Sequence, residues 1–411
     1  MYFIYDVIGL IVIIFSPLII LFRIITGKED PKRFLEKYCL YNKKINDKTT
    51  IWLHGASVGE ILSIIPIVKE LEKNKQIKRI LITSSTTSSS LILSRYKFKK
   101  IIHKYFPIDT NYLSIKFIKF WQPKLAIFIE SEIWPNMFKN LNKKKIPIIL
   151  LNARITKKSY KRWKNFPNFS KIVFNNISLA MPQNLQTFNY LKLLGVKNIK
   201  FTGNLKHYGE KKYDKINISL KNKFKNNQIW CAASTHQNEE LFVGKVHKKI
   251  RLIKKNLLTI IIPRHINRTE NIINELNEIG LKTVTHSSGK KISSETDIYL
   301  VDTYGKSSNF YELSSVTFLG GSLISHGGQN PLEPARKKNY ILHGPNIDNF
   351  KEVYSILSKL KISSKINNIL DMKKMIIKNI NFKQSKIVNQ KLFSVGKKVF
   401  KKNLNEINKY I

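Results

Sequence analysis

Short apolar runs alternate along most of this chain with segments whose apolar residues recur at helical spacing. Strands that alternate with helices are typical of parallel βαβ units, so the pattern predicts an α/β fold with doubly wound sheets. The predicted strands are 50–54, 79–83, 101–105, 125–130, 147–151, 171–174, 178–181 and 199–202 in the first half, and 228–233, 257–262, 281–285, 297–301, 316–319 and 340–343 in the second.

A polar stretch rich in Lys and Asn, residues 207–227, separates the two halves and predicts a linker. It divides the chain into an N-terminal lobe over 29–206 and a C-terminal lobe over 228–384. Residues 385–411 have helical spacing and predict a terminal helical segment. We therefore expect two Rossmann-like lobes with a cleft between them, because clefts of this kind are where α/β proteins bind ligands.

The N-terminus predicts a membrane-anchor helix within residues 1–28. Residues 7–22 carry no charge, and basic residues follow from Arg23 onward, whereas none precedes. The positive-inside rule then places the rest of the chain in the cytoplasm. A cleaved signal peptide is the competing interpretation, but the segment has no basic start and no small-residue cleavage site. Asp6 and Pro17 leave open whether the helix spans the bilayer or lies in its interface.

The charge balance favours an anionic partner without naming one. Lys and Arg number 72 against 27 Asp and Glu, a net charge of +45. A compositional drift towards Lys explains such an excess as well as a membrane surface or a phosphorylated substrate does. The basic residues are scattered along the chain without a recognised nucleic-acid-binding module, so no nucleic-acid partner is expected.

Cysteine and histidine usage argues against a metal site. The two cysteines, Cys39 and Cys231, allow neither a disulfide framework nor a Cys-based zinc site. The nine histidines contain no His-Glu-x-x-His pattern, and the chain has no Asp-x-Asp pair. We therefore expect no metal and no cofactor, and the cysteine usage fits a reducing compartment.

Residues 54–60, His-Gly-Ala-Ser-Val-Gly-Glu, connect a predicted strand to a predicted helix and allow two interpretations. Gly55-x-Ser57-x-Gly59 matches the nucleophile elbow of an α/β-hydrolase. Glu60 instead is a carboxylate at the carboxyl edge of a strand, where open α/β sheets bind ligands. The helix N-terminus favours ionised Glu60, whereas burial raises its pKa, and the sequence leaves that balance open.

Further polar residues in the N-terminal lobe are candidates for the same site. Glu130 and Glu132 follow strand 125–130, and they would share one face if the strand alternation continued past its end. A loop-capping role is the alternative for each of them. Lys206 ends the lobe, where it either meets an anionic ligand or is simply solvated.

In the C-terminal lobe, a glycine-rich loop with Gly320, Gly321, Gly327 and Gly328 follows a strand and leads to a helix. Such a loop predicts backbone amides free to bind a phosphate. Asn330 is a suitable N-cap, Pro331 suits the first helical position and Glu333 the third. Glu333 either closes a capping box with Asn330 or accepts hydrogen bonds from a ribose diol.

Two more strand ends in this lobe carry polar residues. Ser234 and Thr235 are suited to capping a helix, and a ligand contact is the second possibility. Arg264 and His265 follow strand 257–262, where an arginine can bind a phosphate or carboxylate with both arms, or form a surface ion pair.

Five motifs taken together resemble one family, the 3-deoxy-D-manno-octulosonic acid (Kdo) transferases of lipopolysaccharide biosynthesis. The motifs appear in the order 54–60, 130–136, 203–206, 263–265 and 320–335. The resemblance implies a two-lobed glycosyltransferase of the GT-B type, which moves Kdo from CMP-Kdo to an anionic lipid A precursor with inversion. It also implies an enzyme at the inner leaflet of the inner membrane, with its catalytic domains in the cytoplasm and no cofactor besides the donor substrate.

The resemblance also assigns roles to residues. Glu60 would be the general base that takes the proton from the acceptor hydroxyl. The acceptor side and cleft would be formed by His54, Ser57, Gly59, Glu130, Glu132 and Lys206. The donor would be held by Ser234, Thr235, Arg264, His265, Gly320, Gly321, Gly327, Gly328, Asn330 and Glu333. Residues 207–209 and 266–268 depart from the family pattern, which bears on local contacts. The rival interpretations are the hydrolase with Ser57 as nucleophile and a non-enzymatic basic protein at the membrane.

Overall fold

The computed structural model describes residues 2–41, 50–208 and 218–411. Contacts divide the chain into two compact units, Met1–Glu210 with Val395–Ile411 and Lys211–Ser394. Each unit contains one sheet, and the strands of both sheets pair in parallel. The α/β class with two parallel sheets is therefore confirmed.

The first unit has a six-stranded sheet in the order β3-β2-β1-β4-β5-β6. Its strands are β1 (Thr50–His54), β2 (Arg79–Ser84), β3 (Ile101–Tyr105), β4 (Pro123–Ile129), β5 (Ile148–Ala153) and β6 (Leu179–Pro182). Its helices are α1 (Tyr2–Ile25), α2 (Val58–Lys73), α3 (Thr87–Ser94), α4 (Asn111–Trp121), α5 (Pro135–Lys143), α6 (Lys157–Lys164), α7 (Pro167–Asn175) and α8 (Leu185–Leu193), with 3₁₀ turns at Phe34–Tyr38 and Leu205–His207. Strand order reverses between β1 and β4, which brings the loops after these two strands to the same point.

Apolar residues fill both faces of this sheet, as a parallel sheet covered by helices requires. On β1, Trp52 packs in the cluster with Phe128 and Phe138, whereas Leu53 packs in the opposite cluster with Ile127. All five side chains are fully buried. The uninterrupted apolar runs of the sequence therefore mark strands that are buried on both sides.

Two predicted strands of this half are wrong. Residues 171–174 lie in α7, where Pro167 occupies the first helical turn and Phe169, Val173 and Phe174 are buried at helical spacing. Residues 199–202 contribute a single bridge, between Ala180 and Ile199, and no strand. A short apolar run does not distinguish a strand from a buried helix face, which explains the first error.

The N-terminal helix α1 packs one face against the rest of the first unit. Tyr5 donates a 2.9 Å hydrogen bond to Asp109, Ser16 Oγ lies 2.6 Å from Tyr38 Oη, and Arg23 pairs with Glu29 at 3.1 Å. Burial raises the pKa of the Asp109 carboxyl to about 6. Among the described residues, α1 is long and apolar enough to cross a membrane by length and composition.

The second unit has a seven-stranded sheet in the order β13-β12-β11-β7-β8-β10-β9. Its strands are β7 (Gln228–Thr235), β8 (Leu257–Pro263), β9 (Thr283–Thr285), β10 (Ile298–Leu300), β11 (Val316–Leu319), β12 (Tyr340–His343) and β13 (Ser363–Lys365). Its helices are α9 (Ile218–Lys223), α10 (Glu239–Arg251), α11 (Thr269–Glu278), α12 (Ser307–Leu313), α13 (Leu332–Arg336), α14 (Lys351–Lys359) and α15 (Ile369–Asn379), with a 3₁₀ turn at Ile266–Arg268. Strand β13 was not predicted, because its residues, Ser-Ser-Lys, form no apolar run.

The segments at the predicted domain boundaries have these structures. Of the predicted linker 207–227, residues 209–217 lie outside the described residues, Ile218–Lys223 form α9, and Phe224 is buried in the core of the second unit. The terminal segment forms helix α16 (Lys386–Asn408), whose residues up to Ser394 belong to the second unit and whose residues from Val395 belong to the first.

Candidate functional site

Glu60 lies in the first turn of α2, and its side chain is bound by the loop that precedes the helix. Ser57 is the N-cap, and its Oγ accepts the Glu60 N–H at 3.4 Å. The Glu60 carboxylate accepts hydrogen bonds from the Ala56 N–H at 2.7 Å and from Ser57 Oγ at 2.9 Å. This closely resembles a capping box, so Glu60 helps to start α2 as well as presenting a carboxylate.

The environment of Glu60 raises its pKa above the ordinary value. Burial is the largest cause, and the negative charge of Glu132 adds to it, whereas the hydrogen bonds from Ser57 and Ala56 act in the opposite direction. The balance that the sequence left open therefore favours a more basic carboxylate. An ionised carboxylate has about four lone-pair positions, so two hydrogen bonds leave room for a substrate hydroxyl.

The hydrolase interpretation of the same loop is not supported. A nucleophile elbow holds its serine in a strained turn beside a histidine base. Ser57 has an extended backbone with φ −110° and ψ 161°, and within the described residues its Oγ bonds with Glu60 rather than with a histidine. Ser57 is therefore a helix cap.

His54, which is buried, and Glu132, which is half-buried, form a pair beside the Glu60 loop. His54 Nε2 lies 3.0 Å from Glu132 Oε2, and the same carboxylate oxygen accepts a hydrogen bond from Trp134 Nε1 at 3.0 Å. The other ring nitrogen of His54 lies 3.0 Å from Thr83 Oγ1, and the ring stacks on Phe106. These contacts hold Glu132 in place, and its charge acts on Glu60.

Glu130 faces a different set of partners, because the strand alternation does not continue past Ile129, the last residue of β4. Glu130 has a left-handed backbone with φ 56°, and its Oε1 lies 2.5 Å from Lys206 Nζ. The continued alternation that would put Glu130 and Glu132 on one face is therefore absent, although the charges of both residues raise the pKa of Glu60. Lys206 is an ion-pair partner rather than a solvated lysine.

Asn152, a residue that the sequence analysis missed, joins this pair. Its Nδ2 lies 3.5 Å from Glu130 Oε1, and its Oδ1 accepts the Leu205 N–H at 3.0 Å. Its backbone is also left-handed, with φ 52°. An asparagine directly after an apolar run of the sequence can indicate a left-handed residue at a strand end, because Asn tolerates this conformation better than most residues do.

In the second unit, the predicted donor-binding residues come from loops after β7, β8 and β11. These strands are neighbours in the sheet, so their carboxyl ends meet. The loop after β11 approaches that after β7 so closely that a Cβ at Gly320 would lie 2.5 Å from the Ser234 carbonyl oxygen. Gly320 is therefore required for packing, and Ser234 itself has a left-handed backbone with φ 54°.

A buried carboxylate occupies the glycine-rich loop. Glu239 Oε2 accepts the N–H groups of Gly321 at 2.7 Å and His236 at 3.0 Å, and its Oε1 accepts those of Ser322 at 3.2 Å and Leu323 at 3.1 Å. The expectation that these amides are free for a phosphate is therefore wrong for residues 321–323. The sequence indicated an anion site, but the anion belongs to the chain.

The end of the loop also differs from expectation. Helix α13 has five residues, and its N-cap is Pro331 rather than Asn330, so Glu333 occupies the second helical position. Asn330 still contributes, because its Oδ1 accepts the Leu332 N–H at 3.1 Å. Gly328, with φ 76°, donates its N–H to Gly321 O at 2.8 Å and closes the loop, and Gly327 has φ 94°.

Basic and imidazole groups gather beside this loop. The ring of His236 lies 4.4 Å from that of His326 and 5.8 Å from that of His265, centroid to centroid. Burial lowers the pKa of His236 to about 4, with further contributions from His326, His265 and Arg264. Arg264 and His265 are exposed, and Thr235 is buried with its carbonyl accepting the Arg264 N–H at 2.9 Å.

Sequence reasoning missed His236 and His326, although both adjoin motifs that it singled out. Arg268 was also missed, and it binds Glu240 at 3.0 and 3.3 Å. Within the described residues, no group of three or more His, Cys, Asp or Glu side chains is arranged to hold a metal ion.

Comparison with known proteins identifies similar chains. A sequence model described as 3-Deoxy-D-manno-octulosonic-acid transferase (kdotransferase) matches residues 32–208. A 3-deoxy-D-manno-octulosonic acid transferase of Rickettsia bellii is 33% identical over 353 residues, which are 84% of this chain and 84% of the relative. The transferase of the same name from Haemophilus influenzae is 29% identical over 412 residues, 98% of this chain and 96% of the relative.

Solved structures agree on the fold. A glycosyltransferase of Rickettsia africae has a TM-score of 0.57 at 11% identity, covering 89% of this chain and 98% of its own. The UDP-GlcNAc 2-epimerase of Neisseria meningitidis has a TM-score of 0.56 at 10% identity, covering 88% and 99%. The fold resembles that of GT-B glycosyltransferases, with two α/β lobes.

Proposed function

The chain belongs to the 3-deoxy-D-manno-octulosonic acid (Kdo) transferase family, and on that premise we propose that it transfers Kdo from CMP-Kdo to a lipid A precursor with inversion. Members of the family are glycosyltransferases of lipopolysaccharide biosynthesis, and this chain matches curated members over most of its length. The proposed site of the reaction is the cytoplasmic face of the inner membrane.

Glu60 is the proposed general base, because its carboxylate is held in the loop after β1 by two hydrogen bonds and its surroundings raise its pKa. The carboxylate takes the proton from the acceptor hydroxyl as the oxygen of that hydroxyl forms a bond to the anomeric carbon of Kdo. The bond from that carbon to the phosphate oxygen breaks, and the electron pair leaves with CMP. A single base opposite the leaving group is sufficient for an inverting transfer.

For the donor, we propose that Arg264 and His265 bind the anionic part of CMP-Kdo, because both are exposed at the end of β8. Glu333 is the proposed partner of the ribose, with Asn330 beside it. Gly320 lets the loop pass close to Ser234 and Thr235, and Gly321, Gly327 and Gly328 supply its left-handed turns. The proposed reaction needs no metal and no cofactor besides the donor.

Membrane association is proposed from α1 and from the charge. An apolar helix of 24 residues can lie in the bilayer interface with its exposed face or span the bilayer by its length. A protein with a net charge of +45 is attracted to an anionic leaflet. Both properties suit an enzyme whose acceptor is an anionic lipid.

The test compares Kdo transfer from CMP-Kdo to a lipid A precursor by the wild type, Glu60→Gln and Ser57→Ala. Glutamine serves at the third position of a capping box, so Glu60→Gln keeps the helix start and removes the base. We expect transfer to fall by about 10² to 10⁴-fold in this variant, with CMP binding retained.

Ser57→Ala is the matched control, because it removes the cap at about 1 kcal/mol without removing the carboxylate. We expect it to remain an active transferase. Full transfer by Glu60→Gln would show that the base assignment is wrong. If the wild type does not transfer Kdo to the lipid A precursor, the proposed activity is refuted. The mass of the product also gives the number of Kdo residues added.

A further inference from the structure

An apolar cavity lies between α1 and the rest of the first unit. Its volume is about 330 Å³, near the lower end of the range for small-ligand sites. Helix α1 forms one wall with Tyr5, Ile8, Gly9 and Val12, which lie on one stripe of the helix. The loop after β3 forms the opposite wall with Phe106, Pro107 and Ile108, and Trp134 completes it.

The mouth of this cavity opens towards the apolar surface of α1. Ile8 is 51% exposed and Val12 is 41% exposed, although both line the cavity. They continue into the outer face of the helix, where Phe15 and Leu18 are exposed. A bilayer that contacts the outer face of α1 would therefore present its hydrocarbon at the mouth.

Three lining residues of the cavity contact residues around the Glu60 loop. Trp134 binds Glu132, and Phe106 stacks on His54. Ser85, also in the lining, donates its N–H to the Ala56 carbonyl at 3.3 Å, and the Ala56 N–H binds the Glu60 carboxylate. Two short chains of contacts thus join the cavity wall to the proposed base.

The ionisable groups in the wall have partners already. Asp109 accepts hydrogen bonds from Tyr5 at 2.9 Å and from the N–H groups of Asn136 at 3.1 Å and Met137 at 2.8 Å. Lys37 is paired with Glu29. A polar occupant would have to compete with these contacts for the ionisable groups. An apolar chain needs no such partner, because its transfer from water into the cavity is favourable in itself.

We propose that this cavity binds one fatty-acyl chain of the lipid acceptor and so positions the sugar of that lipid at Glu60. The inference rests on the proposed function, since it takes a lipid as the acceptor. Its occupant is an unbranched hydrocarbon chain, because the cavity is mostly apolar, is lined by exposed apolar residues of α1 and has lining residues in contact with the surroundings of the proposed base.

The test measures KM for a deacylated lipid A precursor and for derivatives with one acyl chain of increasing length, all below their critical micelle concentrations. In the wild type, KM should fall by up to about fourfold per methylene until the cavity is full. Val12→Trp, which narrows the mouth, should flatten this dependence. Leu18→Trp is the matched control, since Leu18 lies on the same helix, is exposed and does not line the cavity.

The outcomes separate the two proposals. Transfer to the deacylated precursor with no dependence on chain length in the wild type would overturn the acyl-chain site and leave the proposed function intact. No transfer to these acceptors or to the fully acylated lipid A precursor would refute the proposed function itself. An equal chain-length dependence in Val12→Trp and in the wild type would also overturn the site.

A second measurement uses the unaltered protein, in case Val12→Trp does not fold. An acceptor with a photoreactive group at the end of its acyl chain is irradiated with the wild type, and the labelled peptides are mapped. We expect label on residues 8–12 or 106–108. Label confined to residues 14–19, on the outer part of α1, would overturn the proposal.

Discussion

Glu60 combines a structural role with the proposed role of general base. Its contacts with Ser57 and Ala56 begin α2, and burial together with Glu132 raises its pKa. The hydrogen bonds alone would stabilise the ionised form and weaken the base. Burial outweighs these hydrogen bonds, and the charge of Glu132 adds to it. The position of Glu132 beside Glu60 depends on the pairing of β1 with β4.

The pH dependence of transfer tests this relation. A base acts only when it is ionised, so kcat/KM should fall as pH drops through the raised pKa of Glu60. Glu132→Gln removes the negative charge that helps to raise the pKa, and the acidic limb of the profile should move to lower pH.

Glu70→Gln is the control, because Glu70 is a carboxylate on the same helix that pairs with Lys73. Its acidic limb should stay in place. An unchanged acidic limb in Glu132→Gln would mean that this charge does not act on the proposed base.

Three non-glycine residues at strand ends have left-handed backbones. They are Glu130 and Asn152 in the first unit and Ser234 in the second. Such conformations cost of the order of 1–3 kcal/mol each and persist where surrounding contacts hold them. For Glu130 and Asn152 those contacts include Lys206 and Leu205. The strain is therefore local to the strand ends that carry the candidate residues.

At the scale of elements, the loop after β11 is organised by a side chain more than eighty residues earlier in the sequence. Glu239, at the start of α10, accepts hydrogen bonds from three amides of this loop and one of its own. The N-terminus of α10 and the loop thus share one negative charge. This arrangement satisfies the amides that a glycine-rich loop otherwise offers to a phosphate.

Removal of this carboxylate should expose an anion site. Glu239→Ala leaves the N–H groups of residues 236 and 321–323 without their acceptor. Each of these groups that water does not reach costs about 1–3 kcal/mol, so we expect the free energy of unfolding to fall by several kcal/mol. Inorganic phosphate should restore part of the stability, as measured by thermal unfolding with increasing phosphate.

Glu270→Ala is the control, since Glu270 is an exposed acidic residue in the first turn of α11. It should show neither a comparable loss nor a specific gain with phosphate. Equal stability of Glu239→Ala and the wild type would show that this carboxylate does not hold the loop.

For the whole molecule, the proposed membrane association combines the positive charge with the apolar face of α1. Electrostatic attraction weakens as salt shortens the screening length from about 10 Å at 0.1 M to about 3 Å at 1 M. Hydrophobic contact of α1 does not weaken in this way. The two contributions are therefore separable by salt.

Binding to vesicles measures both. The wild type should bind vesicles with anionic lipid more tightly than zwitterionic ones, and at 1 M salt the difference should shrink while binding through α1 remains. Phe15→Glu with Leu18→Glu should abolish the binding that survives high salt. Leu252→Glu with Ile253→Glu, a matched pair of exposed apolar residues in the second unit, should retain it. Loss of binding in both double variants would argue against a specific role of α1.

Much of this protein is determined by local sequence. The alternation of apolar runs and helical patterns predicts two α/β lobes, and Ser57, Glu60, Arg264 and the glycine-rich loop are correctly placed at strand ends, because turn and capping chemistry depends on neighbouring residues. Five ordered motifs also indicate the family, since each motif is a short run of neighbouring residues.

Other features are decided by the tertiary structure. The order of the strands places β11 beside β7, which brings Glu239 to the glycine-rich loop and His326 to His236. Packing also decides that 171–174 is helical, and it raises the pKa of Glu60 through burial and through the charge of Glu132. These outcomes depend on contacts between residues far apart in the chain, and local spacing carries no information about which distant segments pair.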